Sequence, residues 1–523
     1  MIIGNGTCAQ RIAENLLFQG INVIVASNDP RFEYSVSLGT EDRHPGSLEI
    51  LTATKVLDCQ GFIGQFEVLF QRSEEKIHRS TAIIIIAVDY VLKSNFPLYG
   101  LEPCDYVLPL SHIKDSAFRQ LHFHDQDASG KKIIFLTGLL EESNPVVQKN
   151  IMLTALELQS NFDVQTYIFT RNLKVAGNGL EALSRELKKA GAVITKFTNT
   201  LPRIQQHRNG RVELEYLDEV TLENFRLNPD LTVVDETICP SHDLHRLSNI
   251  FDLDTDQIGF LQTANTRRIP VHTNRIGILA AGPSKAIQGD AENSIDADAA
   301  ALTAMNLIAG SCPPTPHSAD IDSGLCVRCL TCLRLCPHHA ISFDTKLWVS
   351  HEACQGCGLC VAECPAVAIG QHNLRKDLIT KIRLTLSKQS DPAVPSIVAF
   401  CCSRSAARAA DLARCLGYLL PAGLLIVEVP CASSVSMEYI LAAFASRAEG
   451  VLVASCHEGN CYSEKGTAFA RNRVNQMRLF LKHTRASQGR IQMHTLAANM
   501  GKQFADITNR WERQLTDMGS IQP

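Results

Sequence analysis

The sequence has little of several features that mark common protein classes. Aromatic residues make up only 6% of its 523 residues, and 50 Lys and Arg against 54 Asp and Glu give a net charge of −4. Because no excess of positive charge is available to hold a polyanion, a nucleic-acid role is disfavoured. Apolar runs such as 83–88 and 419–427 are well short of the roughly 20 residues that cross a bilayer. We therefore expect no direct membrane span.

Export signals are also missing, whereas cysteine is abundant. The start Met1-Ile2-Ile3-Gly4 has neither the basic flank nor the small-residue cleavage site of a secretory signal. The 19 cysteines are clustered, and in a reducing cytoplasm such clusters favour metal or redox chemistry over a disulfide framework. With 45% hydrophobic and 20% charged residues, the chain is globular, and its length predicts several domains.

The strongest motif is a run of four cysteines followed by proline, which occurs twice with the same CxxCxxCxxxCP spacing. Three close thiolates can surround one 4Fe–4S cluster, while the fourth cysteine of each run reaches the other cluster. Zinc sites do not need the third cysteine of such a run. The spacing predicts a first cysteine set, Cys326, Cys329, Cys332 and Cys364, and a second cysteine set, Cys336, Cys354, Cys357 and Cys360.

Six more cysteines lie in the last part of the chain. Several of them follow apolar strands, and this puts them at the carboxyl edge of an α/β sheet, where ligand sites are common. Four thiolates from separate loops suit a small iron–sulfur cluster, and buried inert thiols are the alternative. The natural ligands form a C-terminal cysteine set, namely Cys402, Cys431, Cys456 and Cys461.

A glycine-rich turn joins a short strand to a helix at the start of the chain. Gly4, Gly6 and Ala9 form a GxGxxA pattern, and the strand 21–26 follows the helix. Such a turn lets backbone N–H groups approach a pyrophosphate at a helix N-terminus. A tight turn without a ligand is the alternative. Asp29 lies near the position of a ribose-binding acid, beyond the strand end.

From residue 131 onward, strands and helices alternate over about 65 residues, which predicts a parallel, doubly wound sheet. This stretch has no comparable glycine fingerprint, so a second nucleotide is not indicated.

The segment 273–283 is a strand that ends in glycine, and a helix from Asp296 to Ala309 follows it. Pro313-Pro314 and the stretch 387–395 read as linkers. The predicted fold class is α/β multidomain, with an α+β two-cluster ferredoxin module.

The motifs resemble two known families. Residues 1–370 resemble the A subunit of heterodisulfide reductase, through the 273–282 strand and the two cysteine runs, and residues 395–523 resemble the delta subunit of methyl-viologen-reducing hydrogenase, through Val429-Pro430-Cys431 and Cys456-His457-Glu458-Gly459-Asn460-Cys461. The fusion is similar to the B subunits of quinone-interacting membrane-bound oxidoreductases. The implied domains are an interrupted thioredoxin-reductase-like (Rossmann-type) FAD domain at 1–130 plus 255–310, an inserted α/β domain at 131–254, a ferredoxin domain at 311–372, and an α/β iron–sulfur domain at 395–523.

The resemblance implies two cofactors besides the 4Fe–4S clusters. It implies FAD, with the turn residues under the pyrophosphate and Asn274, Gly277 and Gly282 near the flavin, and it implies a 2Fe–2S cluster in the C-terminal domain. The chain departs from the family patterns at three places. Ala87-Val88-Asp89 replaces an Ala-Thr-Gly turn, and Ser27-Asn28 replaces the acid at the end of the second strand. Ser405 replaces a cysteine, so Cys401 is left open as a substitute ligand of the C-terminal cluster beside Cys402.

These features together predict an oxidoreductase subunit that relays electrons between FAD and iron–sulfur clusters, without a catalytic acid, base or nucleophile. By resemblance, the complex is a membrane-associated, quinone-linked oxidoreductase of sulfur metabolism. Its partners would be a flavoprotein A subunit, a haem-bearing membrane subunit, and adenylylsulfate reductase, and the chain would be cytoplasmic, held at the inner membrane by these partners. The alternatives are a soluble bifurcating complex and a flavin-free docking subunit with a ferredoxin module.

Overall fold

A computed structural model describes the chain apart from residues 31–45, 115–129, 163, 178, 262–264, 266–269, 311–316, 372–374, 388–393, 484–486 and 520–523. It divides into two compact units. The first comprises Met1–Val88, His245–Lys285 and Ser294–Pro523, and the second comprises Asp89–Leu244 and Ala286–Asn293. Among the described residues, no helix has the length and apolar character needed to cross a membrane.

A five-stranded parallel sheet forms the N-terminal part of the first unit. Its strand Ile84–Ile86 is apolar and buried at every position, which is typical of a parallel strand that is covered on both faces. Helices Thr7–Phe18 and Asp290–Ile308 share one apolar core with the strands. Helix His242–Ile250 and a separate antiparallel sheet of Lys55–Phe62, Gln65–Arg72 and Glu75–Thr81 accompany them. The parallel order is Ile278–Ala280, Ile84–Ile86, Ile2–Ile3, Val23–Ala26 and Leu48–Leu51.

The close approach of Gly4 to a neighbouring strand end shapes the first turn. Gly4 has φ +143°, and a Cβ on it would lie 2.0 Å from the carbonyl oxygen of Ala87. Any side chain would therefore separate the turn from the strand beside it.

The module that carries the two cysteine runs has a repeated structure. Each half contributes one short helix, Thr331–Leu335 or Leu359–Ala362, and these helices contact each other. Two small antiparallel pairs complete the module, Ala319–Ile321 with Ile369–Gln371 and Ile341–Phe343 with Leu347–Val349.

The C-terminal domain is a four-stranded parallel sheet with helices on both faces. Alternate residues of its strand Ile397–Cys402 enter two different cores, with Val398 and Phe400 in one and Ala399 and Cys401 in the other. This alternation follows from the two-residue period of a strand. The sheet order is Leu424–Val429, Ile397–Cys402, Gly450–Ser455 and Ile491–Thr495, and the helices are Arg375–Leu386, Ala406–Cys415, Met437–Ala445, Gly466–His483 and Gly501–Met518.

The second unit has a parallel sheet in the order Val193–Lys196, Gln165–Thr170, Lys132–Thr137, Leu231–Val234 and Val107–Pro109. An antiparallel sheet of Arg203–Gln206, Val212–Leu217 and Asn224–Leu227 and a pair formed by Val91–Ser94 and Glu236–Cys239 accompany it. Its helices are Phe96–Tyr99, Leu110–Lys114, Pro145–Asn161 and Leu180–Lys189.

The predicted fold class is confirmed. The strand expected over 273–283 is limited to Ile278–Ala280, and two boundaries differ from the expectation. The second unit begins at Asp89 and not at residue 131, because Val91–Ser94 and Val107–Pro109 pair with strands far along the chain. The helix expected from Asp296 begins at Asp290. No local sequence signal marks either boundary. Long-range strand pairing sets the start of the second unit, and the helix that starts at Asp290 opens with polar residues.

Candidate metal centres and nucleotide-binding turn

The members of the first cysteine set line one cavity. Three of them come from the first run, and Cys364 comes from the second. Arg328 and Leu330 have left-handed backbone conformations, with φ of +54° and +59°. These residues lie between the cysteines and wind the loop tightly, so that nearby thiols reach a common space. The structure thus brings the four cysteines of this set, from both runs, to the lining of one cavity.

The members of the second cysteine set line another cavity. Here Cys336 from the first run joins Cys354, Cys357 and Cys360. Burial raises the pKa of the Cys336, Cys357 and Cys360 thiols. Thiolates at these positions therefore require a compensating cation, which iron supplies.

Backbone amides support both sets in the same way. The Ala340 N–H donates to Cys336 Sγ at 3.4 Å, and the Ala368 N–H donates to Cys364 Sγ at 3.3 Å. Such donors stabilise thiolate charge and tune iron–sulfur clusters. Four convergent cysteines with amide support fit a 4Fe–4S cluster in each cavity.

The C-terminal cysteine set gathers at one end of the C-terminal sheet. Cys402 ends one strand, and Cys431 and Cys456 follow two others. All four side chains are buried and share an apolar cluster with Cys357 and Leu359 of the ferredoxin-type module. The carboxyl ends of parallel strands meet at one edge of a sheet, and this brings the four thiols together.

The sulfurs of these four cysteines lie close together in one buried cluster. Cys402 Sγ lies 3.7 Å from Cys456 Sγ. A Cβ added to Gly466 would lie 2.6 Å from Cys431 Sγ and 3.0 Å from Cys461 Sγ, so both of these sulfurs face the start of one helix. Within the described ranges, no three His, Cys, Asp or Glu side chains are grouped for a single ion. A 2Fe–2S cluster takes four protein ligands, two on each iron, and four thiols gathered at one edge of the sheet fit it.

Cys401 and Cys402 point to opposite faces of their strand. Cys401 lies in the core with Ala406 and Leu452, and burial raises its pKa to about 12. Contact with Cys456 lowers the pKa of the Cys402 thiol, and the Ser405 hydroxyl adds to this effect. The structure therefore places Cys402, and not Cys401, with the C-terminal set.

The glycine-rich turn has the geometry of an open helix N-terminus. Gly6 is the residue before helix Thr7–Phe18, whose first turn has no acidic side chain, and Ala9 is fully buried beneath it. The Asn5 amide donates to the Asp29 carboxylate at 3.2 Å, and this contact places that carboxylate beside the turn. The turn fits a dinucleotide pyrophosphate, and Asp29 fits its ribose.

The other predicted flavin contacts have structural roles of their own. The Asn274 side chain accepts from Asp254 N and donates to Asp252 O, which fixes a loop. Gly277 has φ +85°, and a Cβ there would lie 2.8 Å from Ile63. The backbone N–H of Gly282 donates to Asp296 Oδ2 at 3.4 Å. Their contact with flavin remains a prediction.

Several interactions of the C-terminal set were not apparent in the sequence. Ser433 Oγ donates to the carbonyl of Cys357 at 2.8 Å, and Arg473 pairs with Glu363 at 2.9 Å. The Asn265 amide donates to the Cys461 carbonyl at 3.0 Å. Each joins residues far apart in the chain, so no local pattern marked them.

Comparisons with known proteins match the C-terminal domain and the ferredoxin-type module separately. The family described as methyl-viologen-reducing hydrogenase, delta subunit, matches residues 397–519, and the 4Fe-4S dicluster domain matches residues 325–368. The iron-sulfur D subunit of the F420-non-reducing hydrogenase of Archaeoglobus profundus is 29% identical over 125 residues, which cover 24% of this chain and 91% of that protein.

A second relative and one solved structure concern the longer part of the chain. The A subunit of the ferredoxin:CoB-CoM heterodisulfide reductase of Methanosarcina mazei is 26% identical over 295 residues, or 56% of this chain and 37% of that protein. The chain thus spans little more than a third of that relative. Thioredoxin reductase of Lactococcus lactis superposes with a TM-score of 0.39 at 15% identity, covering 59% of this chain and 98% of that one. The chain is therefore an iron–sulfur protein that joins a region homologous to the A subunit of heterodisulfide reductase to a C-terminal domain of the hydrogenase delta family.

Proposed function

We propose that the chain is an electron-transfer subunit of an oxidoreductase that holds FAD, two 4Fe–4S clusters and one 2Fe–2S cluster. The observation that carries the proposal is the buried cluster in which Cys357 of the second cysteine set packs with the whole C-terminal set. Electron transfer between centres weakens steeply with distance, so this contact favours direct exchange between these two sites. When bound, iron–sulfur clusters carry single electrons, and a flavin converts between electron pairs and single electrons.

The protein's own contribution is to hold, bury and connect these sites. The Cys357 carbonyl accepts a hydrogen bond from Ser433, and the Tyr462 hydroxyl donates to Gln355 in the same loop. Between the N-terminal domain and the ferredoxin-type module, the rings of Phe62 and Trp348 meet edge to face, with centroids 5.3 Å apart. These contacts fix the module on both sides, which keeps the distances between centres constant.

For the complex itself, we infer a membrane-associated, quinone-linked oxidoreductase of sulfur metabolism. Its partners would be a flavoprotein A subunit, a haem-bearing membrane subunit, and adenylylsulfate reductase. The fusion of the two homologous regions in one chain supports this inference. A soluble heterodisulfide-reductase-like bifurcating complex is the alternative. Affinity purification of the tagged chain from separate membrane and soluble fractions distinguishes them, since recovery of haem and quinone-reactive partners only from membranes is expected.

A flavin-free docking subunit is a second candidate, and the contacts of Val88 favour it. The Ser284 hydroxyl accepts from Val88 N at 2.6 Å and donates to Val88 O at 3.0 Å. The N–H and the carbonyl of Val88 are thus both bonded to Ser284 and not to a ligand. This residue lies in the Ala87-Val88-Asp89 turn, which departs from the pattern of the flavin-binding family.

Cofactor content tests the main proposal. The chain would be purified without oxygen, and FAD released on denaturation would be measured together with iron. We expect about one FAD and about ten irons per chain, the sum of two 4Fe–4S clusters and one 2Fe–2S cluster. A chain with about eight irons and no flavin would contradict the relay and favour the docking subunit.

A further inference from the structure

A buried arginine joins the C-terminal domain to the ferredoxin-type module. Arg473 lies in helix Gly466–His483 with 3% of its surface exposed. Its Nε donates to Glu363 Oε1 at 2.9 Å, and its Nη1 donates to the carbonyl of Val435. Glu363 lies between Cys360 of the second set and Cys364 of the first, whereas Val435 follows Cys431 of the C-terminal set. One guanidinium group therefore contacts segments that carry ligands of all three predicted clusters.

One donor of this guanidinium has no acceptor. Among the described residues, Arg473 Nη2 is buried without a hydrogen-bond partner. An unsatisfied buried donor on a charged group is costly, so its retention indicates an acceptor that protein atoms do not supply. An anionic cluster held by Cys431 would provide the missing negative charge.

We propose that Arg473 is a positioning residue that raises the reduction potential of the C-terminal 2Fe–2S cluster; this inference rests on the proposed function. A fixed positive charge in a buried site stabilises the form of the cluster that carries one more electron. The charge of Glu363 opposes this effect, but the Glu363 side chain is 29% exposed against 4% for Arg473. Water screens the carboxylate more than the guanidinium, so a net positive influence remains.

A second arginine, Arg404, follows Cys402 in the chain but lies at the surface. Arg404 is exposed and stacks on the Tyr462 ring, with its guanidinium carbon 3.6 Å from the ring centroid. Its charge is screened by solvent and contributes less to the potential of a buried centre.

Four substitutions in the full chain test the proposal. R473Q removes the positive charge, and R473K keeps the charge but lacks the planar guanidinium group. E363Q removes the opposing negative charge and breaks the same Arg473–Glu363 ion pair. R478Q is the matched control, because Arg478 lies on the same helix and its Nε donates to the carbonyl of Ile491, away from the cysteine sets. Each chain is purified without oxygen, its iron is counted, and the 2Fe–2S signal is followed by EPR during a redox titration.

We expect R473Q to keep about ten irons. At the midpoint potential of the native cluster, the ratio of reduced to oxidised 2Fe–2S cluster in R473Q should be lower on the order of tenfold. This is the effect expected when one charge is removed at about 10 Å in an effective dielectric constant of about 20. R473K should remain near the native midpoint, and E363Q should shift it to a more positive potential.

Two results overturn the proposal. One is an R473Q midpoint no further from the native value than that of R478Q. The other is a shift of R473Q and E363Q in the same direction, which would mean that only the shared ion pair matters. If R473Q loses iron, E363Q decides alone, since a positive shift supports the role of charge and a negative shift excludes it. A native chain with about eight irons and no 2Fe–2S signal would instead refute the proposed function.

Discussion

At the scale of single residues, the direction of a side chain decides which of two neighbouring cysteines faces the C-terminal set. Cys401 and Cys402 are adjacent and both buried, yet the strand directs them to opposite faces. Only Cys402 lies among the C-terminal sulfurs, 3.7 Å from Cys456 Sγ. Composition and spacing could not separate these two cysteines.

We expect C402S to lose the C-terminal cluster, so that iron falls from about ten to about eight per chain. C401A, one residue away, should keep about ten irons, because its side chain faces the apolar core. Iron analysis and EPR of the two variants provide the measurement. Equal iron loss in both variants would contradict the assignment.

The crossed cysteine sets predict a specific pattern in double variants. Cys326 and Cys364 line the same cavity, so C326S and C364S should damage the same cluster and the double variant should lose no more than about four irons. Cys354 lines the other cavity, and C354S/C364S should lose about eight. Iron and acid-labile sulfide measured in the native chain and in these four variants test this. If the iron losses of C326S and C364S add up in the double variant, each cluster is held by the four cysteines of a single run.

At the scale of elements, the approach of one helix to the C-terminal set leaves no room for a methyl group. A Cβ at Gly466 would lie 2.6 Å from Cys431 Sγ. G466A should therefore displace the helix start or the sulfur, and iron should fall to about eight per chain. The control is G370A, where a Cβ would meet nothing within 4 Å, and it should leave iron unchanged. Full iron in G466A would show that the helix start moves without disturbing the site.

In the second unit, a buried carboxyl at the end of a strand predicts a pH dependence. Burial raises the pKa of Asp235, although Asn95, Gly138 and Tyr99 donate hydrogen bonds to it. Because the folded pKa exceeds the unfolded value near 3.9, ionisation opposes folding, and this group's contribution to stability falls as pH rises from about 4.

Hydrogen exchange in the strand Lys132–Thr137 measures this effect. Opening of the strand should become easier as the pH rises above about 4 in the native chain. D235N should lack that part of the dependence, because it does not titrate. After correction for intrinsic exchange rates, equal pH slopes in the two chains would contradict the prediction.

At the scale of the whole molecule, the number of electrons that the chain accepts reports all of its centres together. A stepwise reductive titration should take up about five electrons per chain, two by FAD and one by each of three clusters. C402S should take up about four, and C401A about five. An uptake of about three in the native chain would indicate that FAD is absent and the clusters are intact.

Much of the architecture was predictable because it depends on local patterns. The CxxC spacing and the Gly4 turn each act within a few residues, so they marked two cysteine sets and an open helix N-terminus. The start of the second unit at Asp89 was not predictable, because it follows from pairing between Val91–Ser94 and Glu236–Cys239.

Thiolate spacing along the chain shows which cysteines belong to each run and which chemistry they favour, because it limits the clusters that can form. Folding, in contrast, places Cys402 and not Cys401 with the C-terminal set, brings Ser433 to Cys357, and pairs Arg473 with Glu363. The physical reason is that these contacts join segments far apart in the chain. Packing of the folded domains fixes them, and no repeat or propensity within a segment encodes them.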